Sequence, residues 1–529
     1  MAHPDRSLTP RQRWLGLTIV LAAVLVDLID VGVVVIAAPH LAAGLGATPA
    51  ELQWIVAGYA LAFGVLLVLG GRLGDILGRR RTFLAGTVVF TVASAACALA
   101  PDTTTLIAAR AAAGLGAALM VPQVLSIIQT TFTESERPRA FGAYGAVVAV
   151  GAGLAPPIGG LLLELGPEEL SWRILFLINV PIGVLAVLGG ARYLEESRTD
   201  DRPGLDLAGT VTVGAALLLV LFPLVTLGHG SVSPFALVGG LAGLALLALF
   251  VRTQRRREER GRPVLVPMTV FRRPEPAVGL VAVVMVWSGM SAYTLVLTLQ
   301  LQDGHGLSPL ATGLVLMAWP IGVGLSANSA SLPALLARID GRQVLLGTAL
   351  LTAGMALLVA SLGHALATGG ALGGTGDITL RLVPGLFVSG LGMGLFAPGI
   401  TQKMMSWAPE EAVGGVSGTV NAVIQIAGSL GTVVAGSLFF LALPQGGTGT
   451  HSPAAADSAG LVALLYPLGG FLVAGLVAVA LHRREHHRPR PEDPDRPSPP
   501  PEGRRGRSGS ASAAPGRRPR RRGPSPDSG

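Results

Sequence analysis

Long apolar runs recur along this chain, and short polar interruptions separate them. Each run holds about twenty residues, which is the length that an α-helix needs to cross the hydrocarbon core of a bilayer. Half of the residues are hydrophobic and only 13% are charged. These features predict an all-α polytopic membrane protein.

Dividing the chain at its polar interruptions predicts about fourteen membrane-spanning helices, numbered here as spans 1 to 14. Cytoplasmic loops collect arginine, and an even number of spans with both termini inside places nearly every loop arginine on that side. Only Arg173 and Arg381 are then predicted on the outer side. The predicted limits are 14–38, 52–70, 82–100, 104–127, 140–163, 174–191, 205–226, 233–251, 276–299, 309–335, 343–366, 382–402, 414–442 and 460–481.

The arginine-rich segment 252–275 is the longest predicted cytoplasmic loop, and it divides the chain after span 8. Apart from spans 7 and 8, six spans remain on each side of this loop, an arrangement typical of transporters with an internal repeat. The predicted domains are a cytoplasmic N-terminus (1–13), a six-helix half (14–191), two inserted spans (192–251), the basic loop (252–275), a second six-helix half (276–481) and a tail (482–529).

The tail is rich in Arg, Pro, Ser and Gly and has no apolar period, so we expect it to be disordered. It carries most of the formal net charge of +8. No aromatic residue is interleaved with its arginines to stack on bases. The pattern therefore favours a solvated cytoplasmic tail beside an anionic leaflet over nucleic-acid binding.

Several residue types exclude whole classes of function. Cys97 is the only cysteine, which excludes disulfides, thiolate metal sites and a redox pair. Lys403 is the only lysine and does not follow a glycine, so no ATP-binding loop of the G-x-x-x-x-G-K type exists. His40, His229 and His305 fall in predicted outer loops without metal-ligand spacing, where we expect them to be solvated. The sequence predicts no cofactor, no metal site and no enzymatic activity.

The polar interruption at residues 71–81 reads GRLGDILGRRR, and is named here the polar motif. Its glycines allow close backbone approach, and its acid lies within reach of its arginines. We interpret the motif as a tight cytoplasmic hinge; the simpler alternative is a basic loop that only orients the helices. The pattern resembles the loop between spans 2 and 3 of the major facilitator superfamily. Its key residues are Gly71, Gly74, Asp75, Gly78, Arg79 and Arg80.

Charged residues inside predicted spans are few. Asp27 and Asp30 of span 1 lie three residues apart, hence on one helical face. An ionised carboxylate in hydrocarbon costs several kcal/mol, so such a group faces a cavity, pairs with a cation or binds a proton. Arg110 of span 4 cannot be neutralised and needs a partner. A fixed ion pair inside the bundle is the structural alternative to a role in proton coupling.

Spans 1 and 4 also resemble motifs of one branch of that superfamily, the fourteen-span drug:proton antiporters. Asp30 and Pro39 match the pattern D-x-T-x-x-N-x-A-x-P, with Gly32 and Val35 in place of Thr and Asn. Arg110 matches the arginine of L-x-x-x-R-x-x-Q-G, with alanine in place of glutamine. By this resemblance Arg110 helps proton movement. We expect Asp30 to carry the proton, Arg110 to favour its ionised form in one state, and Asp27 to be a structural partner.

Span 5 is rich in glycine and contains two adjacent prolines, which predicts a smooth, kinked helical face. It resembles the antiporter motif G-x-x-x-G-P-x-x-G-G. The alternative is close helix packing without a gating role, although a close-packed face would also seal a leak path. The matched residues are Gly151, Pro156, Gly159 and Gly160.

Other segments are expected to contribute packing rather than chemistry. Trp54 and Tyr59 are interpreted as core or interface residues. Segment 171–183, SWRILFLINVPIG, resembles the entry to span 6 of the fourteen-span branch and serves only to identify it. Some members of the resembled family that accept divalent cations have a further acid in the C-terminal half, and predicted spans 9–14 here contain none. The resemblance therefore implies neutral or monovalent substrates. The acids of this half are all placed in loops: Asp303, Asp340, Asp377, Glu410, Glu411 and Asp457.

The resemblance implies a major facilitator fold, a 6+6 helix bundle with two inserted helices. It also implies export of small amphipathic drugs or antibiotics in exchange for protons at the plasma membrane. We expect a monomer that contacts lipid and needs neither nucleic acid nor an obligate protein partner. Two alternatives are a dedicated exporter of one self-made metabolite and, from another class, a transporter-like sensor or scaffold.

Overall fold

The computed structural model describes residues 9–167, 172–198, 204–227, 233–329, 342–368, 375–407, 413–444 and 452–486. Within these residues fourteen helices are long and apolar enough to cross a membrane, as the sequence predicts. In order, spans 1 to 14 are Pro10–Ile36, Pro49–Leu77, Arg79–Ala98, Thr103–Thr131, Arg137–Leu165, Arg173–Tyr193, Leu207–Leu227, Pro234–Glu259, Pro274–Gly304, Pro309–Ala327, Gln343–Ala367, Gly376–Ser406, Gly415–Ala442 and Pro453–Arg484. The short helices Ala38–Leu45 and Met268–Arg272 lie outside the spans.

Most helices extend beyond the apolar runs because polar residues form their first and last turns. Thr9 and Thr48 each cap a helix with their hydroxyl, and a Gln or Glu three residues later bonds back to the cap. At the other end, span 8 continues through four arginines to Glu259. Hydropathy locates the membrane-crossing part of such helices but underestimates their length.

The polar motif is helical rather than a loop, which corrects the sequence-based expectation. Span 2 continues to Leu77 and span 3 begins at Arg79. Only Gly78 interrupts them, with a φ of 109°, a conformation that residues with a Cβ rarely adopt. The chain therefore reverses at one residue, and the charged side chains of the motif project from two helix ends.

Helix packing follows the two halves. In the first half, span 4 packs against spans 2 and 3, and span 1 packs against spans 5 and 6. In the second half, span 12 packs against spans 10 and 11, and span 9 packs against span 13. Spans 7 and 8 pack against each other, and span 7 also contacts spans 2 and 13. The inserted pair thus lies beside the junction of the halves.

Spans 5 and 10 join the halves tightly at one end only. A Cβ placed on Gly160 would lie 2.5 Å from the Cα of Leu310, whereas one on Gly153 would lie 3.4 Å from the nearest atom of Pro320. Further along span 5, a Cβ on Gly145 would meet no atom within 4 Å. We name the tightly packed side the closed end and the side of the polar motif the basic end. The two helices diverge toward the basic end.

Candidate functional site

Asp30 and Arg110 form a buried ion pair between spans 1 and 4. An Arg110 Nη1 lies 2.5 Å from Oδ2 of Asp30, and the two side chains are 2% and 1% exposed. The amide of Asn179, on span 6, donates to the other carboxylate oxygen of Asp30 at 2.7 Å. Both oxygens of the carboxylate thus have a donor, which is the condition for an ionised acid to remain away from water.

Arg110 is held by two further elements. Its Nε donates to the carbonyl oxygen of Ile55 on span 2 at 3.3 Å. Its guanidinium carbon lies 4.5 Å from the ring centre of Tyr59 and 5.9 Å from that of Phe176. Aromatic faces attract a cation, and the attraction is stronger where water is excluded. Spans 2 and 6 therefore orient the cation toward span 1.

Asp27 has a different partner. The hydroxyl of Tyr59 donates to its carboxylate, and the side chain is buried among the described residues of spans 1 and 2. No hydrogen bond or ion pair joins Asp27 to Arg110 in the described part of the chain. The structure thus brings Asp27, Asp30 and Arg110 into one polar cluster, with Tyr59 between the first acid and the cation.

Two members of this cluster were not expected from the sequence. Tyr59 was interpreted as a core or interface residue, and Asn179 lies in a segment that was used only to identify a family. Asn179 is 1% exposed and also lies 3.3 Å from the hydroxyl of Ser94. An amide within an apolar run was the available signal, because a buried amide needs partners.

The polar motif contacts the connector that follows span 6. The backbone N–H of Arg79 donates to Ser197 at 3.0 Å and that of Arg80 to the carboxylate of Glu196 at 3.2 Å. A Cβ on Gly78 would also meet the carboxylate of Glu196, which is the end of a flexible side chain, so the positive φ is what requires glycine here. Asp75 pairs with Arg79 one turn away, at 3.2 Å.

Changing Asp75 to Asn should reduce transport by up to about fivefold without changing the amount of inserted protein. The reason is that the Asp75–Arg79 pair is partly exposed, and such pairs contribute at most about 1 kcal/mol to one conformation. Initial transport rates, normalised to protein in the membrane, would measure it. Glu134→Gln, at an exposed acid between spans 4 and 5, is the matched control. Equal rates in Asp75→Asn and wild type would contradict the hinge interpretation.

The span-5 motif packs on two neighbours. Gly159 lies against Val33 and Gly151 against Leu28, both on span 1 of the same half. Gly160 lies against Leu310 at the start of span 10, in the other half. The reverse contact is equally close: a Cβ on Gly313 of span 10 would lie 2.6 Å from the carbonyl oxygen of Pro156 on span 5. The motif therefore lies at the closed contact between the halves, where small residues allow close approach.

The second half contains helical acids that the sequence interpretation placed in loops, and one of them is buried. Asp457 lies on span 14 and is fully buried, and Asp377 lies in the first turn of span 12. That expectation was wrong because both helices begin several residues before the predicted limits at 382 and 460. The inference of neutral or monovalent substrates loses its basis. Asp340, Glu410 and Glu411 lie outside the described residues.

His305 is also placed differently from the expectation. Its side chain is 3% exposed and its Nε2 lies 2.7 Å from Oδ1 of Asp457. His40 is half-buried, and His229 lies outside the described residues. Among the described residues, no group of three His, Cys, Asp or Glu side chains could hold a metal ion.

A family model described as Major Facilitator Superfamily matches residues 20–209 and 207–432. The probable actinorhodin transporter of Streptomyces coelicolor is 38% identical over 81% of this chain and 73% of its own length. The puromycin resistance protein of Streptomyces alboniger is 35% identical over 80% of this chain and 81% of its own length. Multidrug resistance protein Stp of Mycobacterium tuberculosis is 30% identical over 78% of this chain and 73% of its own length.

Solved structures with a similar fold are themselves transporters. The peptide-transporter-family protein PepTSo superimposes with a TM-score of 0.65 at 17% identity, over 90% of this chain and 98% of that one. A bacterial homologue of the lysosomal transporter Spinster, described as inward-facing and unoccupied, superimposes with a TM-score of 0.62 at 15% identity. The match covers 90% of this chain and 98% of that one. At such identities the likeness supports the fold alone.

Proposed function

The chain belongs to the major facilitator superfamily, and from that premise we propose that it exports small amphipathic drugs or antibiotics in exchange for protons. It is a transporter and not an enzyme. The named relatives that support the proposal transport, export or confer resistance to antibiotics or several drugs. The observation that carries the proton part is the buried contact between Asp30 and Arg110.

The Asp30–Arg110 pair supplies a way to couple a proton to a conformation. In the present state the guanidinium of Arg110 and the carboxylate of Asp30 are in direct contact, and the attraction between opposite charges holds spans 1 and 4 together. A proton on Asp30 removes that attraction and leaves a buried cation without its counter-charge. Proton binding therefore favours a different helix arrangement, and release restores the pair seen here.

The energy of one proton is sufficient for useful export. One charge moving across 100 mV gives about 2.3 kcal/mol, which sustains roughly a fiftyfold concentration gradient. We propose that both termini and the polar motif are cytoplasmic and that the membrane is the plasma membrane. The closed end then faces outward, and the described state is the one that has released its proton inside and is open for substrate.

Uphill transport in reconstituted vesicles tests this function. With an imposed pH gradient and no nucleotide, a fluorescent amphipathic drug should accumulate against its gradient, and an uncoupler should abolish the accumulation. Accumulation that survives collapse of both the pH gradient and the membrane potential would contradict proton coupling.

A dedicated exporter of one compound is the second candidate. It is favoured by the names of relatives that are each associated with a single antibiotic, such as actinorhodin or tetracenomycin C. Growth of a sensitive host on a broad compound panel separates the two. Protection against several unrelated compounds supports multidrug export, and protection against one supports the dedicated exporter. We propose the monomer as the functional unit in either case.

Deleting the chain after Arg490 should leave the transport rate unchanged within about twofold. The deleted residues are polar and cannot join a packed bundle, so the helices that form the site keep their contacts. Transport and membrane abundance would be measured together. Lost transport at normal abundance would instead favour the sensor or scaffold, which signals through its tail.

A further inference from the structure

Span 8 presents an apolar face to the surroundings of the helix bundle. Leu241, Leu244 and Leu249 on this face are 68%, 56% and 49% exposed. The opposite face packs on span 7, where a Cβ on Gly243 would lie 2.8 Å from the carbonyl oxygen of Ala216. Leucines exposed along a membrane-spanning helix contact hydrocarbon chains, because water is excluded at that depth. We name these three leucines the leucine face.

Three arginines continue the leucine face where span 8 leaves the apolar segment. Arg252 lies about three helical turns beyond Leu241, so the two side chains project on the same side of the helix. The same spacing separates Arg255 from Leu244, and Arg256 lies about one turn after Arg252. All three arginines are exposed, and none forms a hydrogen bond or an ion pair among the described residues. We name them the boundary arginines.

The boundary arginines lie at the depth of lipid headgroups. The apolar segment 234–251 that precedes them rises about 27 Å at 1.5 Å per residue, which is close to the hydrocarbon thickness of about 30 Å. Arg252 therefore lies at the edge of the hydrocarbon core. Arg255 and Arg256 lie about 5 Å further out, where phosphate groups are found.

Other polar side chains of this helix end point toward the protein. The buried carboxylate of Asp206, which precedes span 7, accepts a hydrogen bond from Nε2 of Gln254 at 2.5 Å and pairs with Arg257 at 3.2 Å. Glu258 accepts from the backbone N–H of Thr269 at 3.2 Å and from its hydroxyl at 2.9 Å. These carboxylates are used on the inner side. The exposed side keeps its positive charge, with Glu259 about one turn beyond Arg255.

The end of span 8 is held in place by bonds to two loops and to span 2. Oε1 of Gln254 accepts from the backbone N–H of Leu265 at 2.7 Å. Arg72 of the polar motif donates to the carbonyl oxygens of Gly204, at 3.0 Å, and of Val264. The helix end therefore lies at the basic end and presents the boundary arginines in a fixed arrangement. A site that is already ordered loses less entropy when a ligand binds.

An anionic phospholipid matches both parts of this surface. Guanidinium groups donate paired hydrogen bonds to phosphate oxygens, and each arginine beside an anionic membrane surface strengthens the attraction about fivefold. A zwitterionic headgroup also carries a cation, which the arginines repel. A soluble anion has no contact with the leucine face, because that face lies within the hydrocarbon.

We propose that the exposed side of span 8 at the basic end is a binding site for an anionic phospholipid. The phosphate lies at Arg252, Arg255 and Arg256, and the acyl chains lie along the leucine face. The bound lipid ties the inserted pair of spans to one leaflet. The inference goes beyond the proposed function, because lipid binding requires neither substrate nor protons.

Native mass spectrometry of the full-length protein in detergent counts bound lipids and tests this site. Phosphatidylglycerol is the anionic probe, and phosphatidylcholine is the zwitterionic one. Wild type should bind the first phosphatidylglycerol at least about tenfold more tightly than phosphatidylcholine. The variant Arg252→Gln/Arg255→Gln/Arg256→Gln should bind phosphatidylglycerol at least about tenfold more weakly than wild type.

Two further variants separate the site from net charge and from folding. Arg11→Gln/Arg198→Gln/Arg342→Gln removes three exposed arginines from other elements, and its affinity for phosphatidylglycerol should stay within about twofold of wild type. Arg252→Lys/Arg255→Lys/Arg256→Lys keeps the charge and loses only the paired hydrogen bonds, so its affinity should stay within about fivefold.

Several outcomes would overturn the proposal. They are equal affinity of wild type and the triple glutamine variant for phosphatidylglycerol, equal weakening in the triple lysine and triple glutamine variants, and no preference over phosphatidylcholine. Glycerol phosphate that binds as tightly as phosphatidylglycerol would identify a soluble anion as the occupant. A dimer that forms in wild type and is lost in the triple glutamine variant would identify a second copy of the chain. Transport is not measured in this experiment, so its result is independent of the proposed function.

Discussion

Asp30→Asn should abolish uphill drug accumulation driven by a pH gradient while sparing exchange of drug for drug across the same membrane. Asparagine keeps the size of the side chain but cannot take up or release a proton. Its one oxygen can still accept from Arg110, whereas its NH2 group cannot accept the second hydrogen bond, from Asn179. Because Arg110 then keeps one partner in both states, the proton no longer biases the helix arrangement. Accumulation should fall at least about tenfold, whereas counterflow should stay within about threefold of wild type.

Asp27→Asn is the matched control, since it changes the same residue type one turn away on the same helix. Its amide oxygen can still accept the hydrogen bond from Tyr59. We expect mainly a lower amount of protein, with accumulation per transporter near wild type. The number of charges alone would let either carboxylate carry the proton. The geometry favours Asp30, because only the protonation of Asp30 must break a contact with Arg110.

Gly160→Val should reduce transport by about tenfold or more by preventing closure between spans 5 and 10. A Cβ at this position would lie 2.5 Å from both the Cα of Leu310 and the carbonyl oxygen of Pro309, which are backbone atoms that cannot rotate away. Overpacking of this kind costs about 1–3 kcal/mol, and here the cost falls on one conformation.

Gly145→Val controls for valine itself. Gly145 lies on the same helix as Gly160, so the change to valine alters helix propensity equally at both positions. A Cβ on Gly145, however, would meet no atom within 4 Å. Transport by Gly145→Val should stay within about twofold of wild type. Normal transport by Gly160→Val at normal membrane abundance would contradict a sealing role for the span-5 motif.

Hydropathy was sufficient to predict the number and order of the spans, because the bilayer imposes one length on every crossing helix. It did not predict that the polar motif is helical up to Leu77. Polar and charged residues at helix ends satisfy backbone groups and continue the helix into the aqueous boundary. Span 14 likewise begins at Pro453, before the predicted limit at 460, so Asp457 was taken for a loop residue although it lies on the helix.

The pairing of Asp30 with Arg110 was predictable because a buried arginine needs a counter-charge and few candidates exist. The roles of Asn179 and His305 were not. The spans are apolar on most sides, so the sequence alone does not indicate which side faces the interior. Which amide or imidazole meets which carboxylate depends on the rotation and depth of helices that are more than a hundred residues apart in the chain.

Proton release on substrate binding is a direct test of Asp30 as the proton carrier. Purified transporter in weakly buffered solution with a pH-sensitive dye would be mixed with saturating drug, and the released protons counted per transporter. We expect about one proton from wild type and from Asp27→Asn, and none from Asp30→Asn, at matched drug binding. Full release from Asp30→Asn, or loss of release in Asp27→Asn alone, would contradict it.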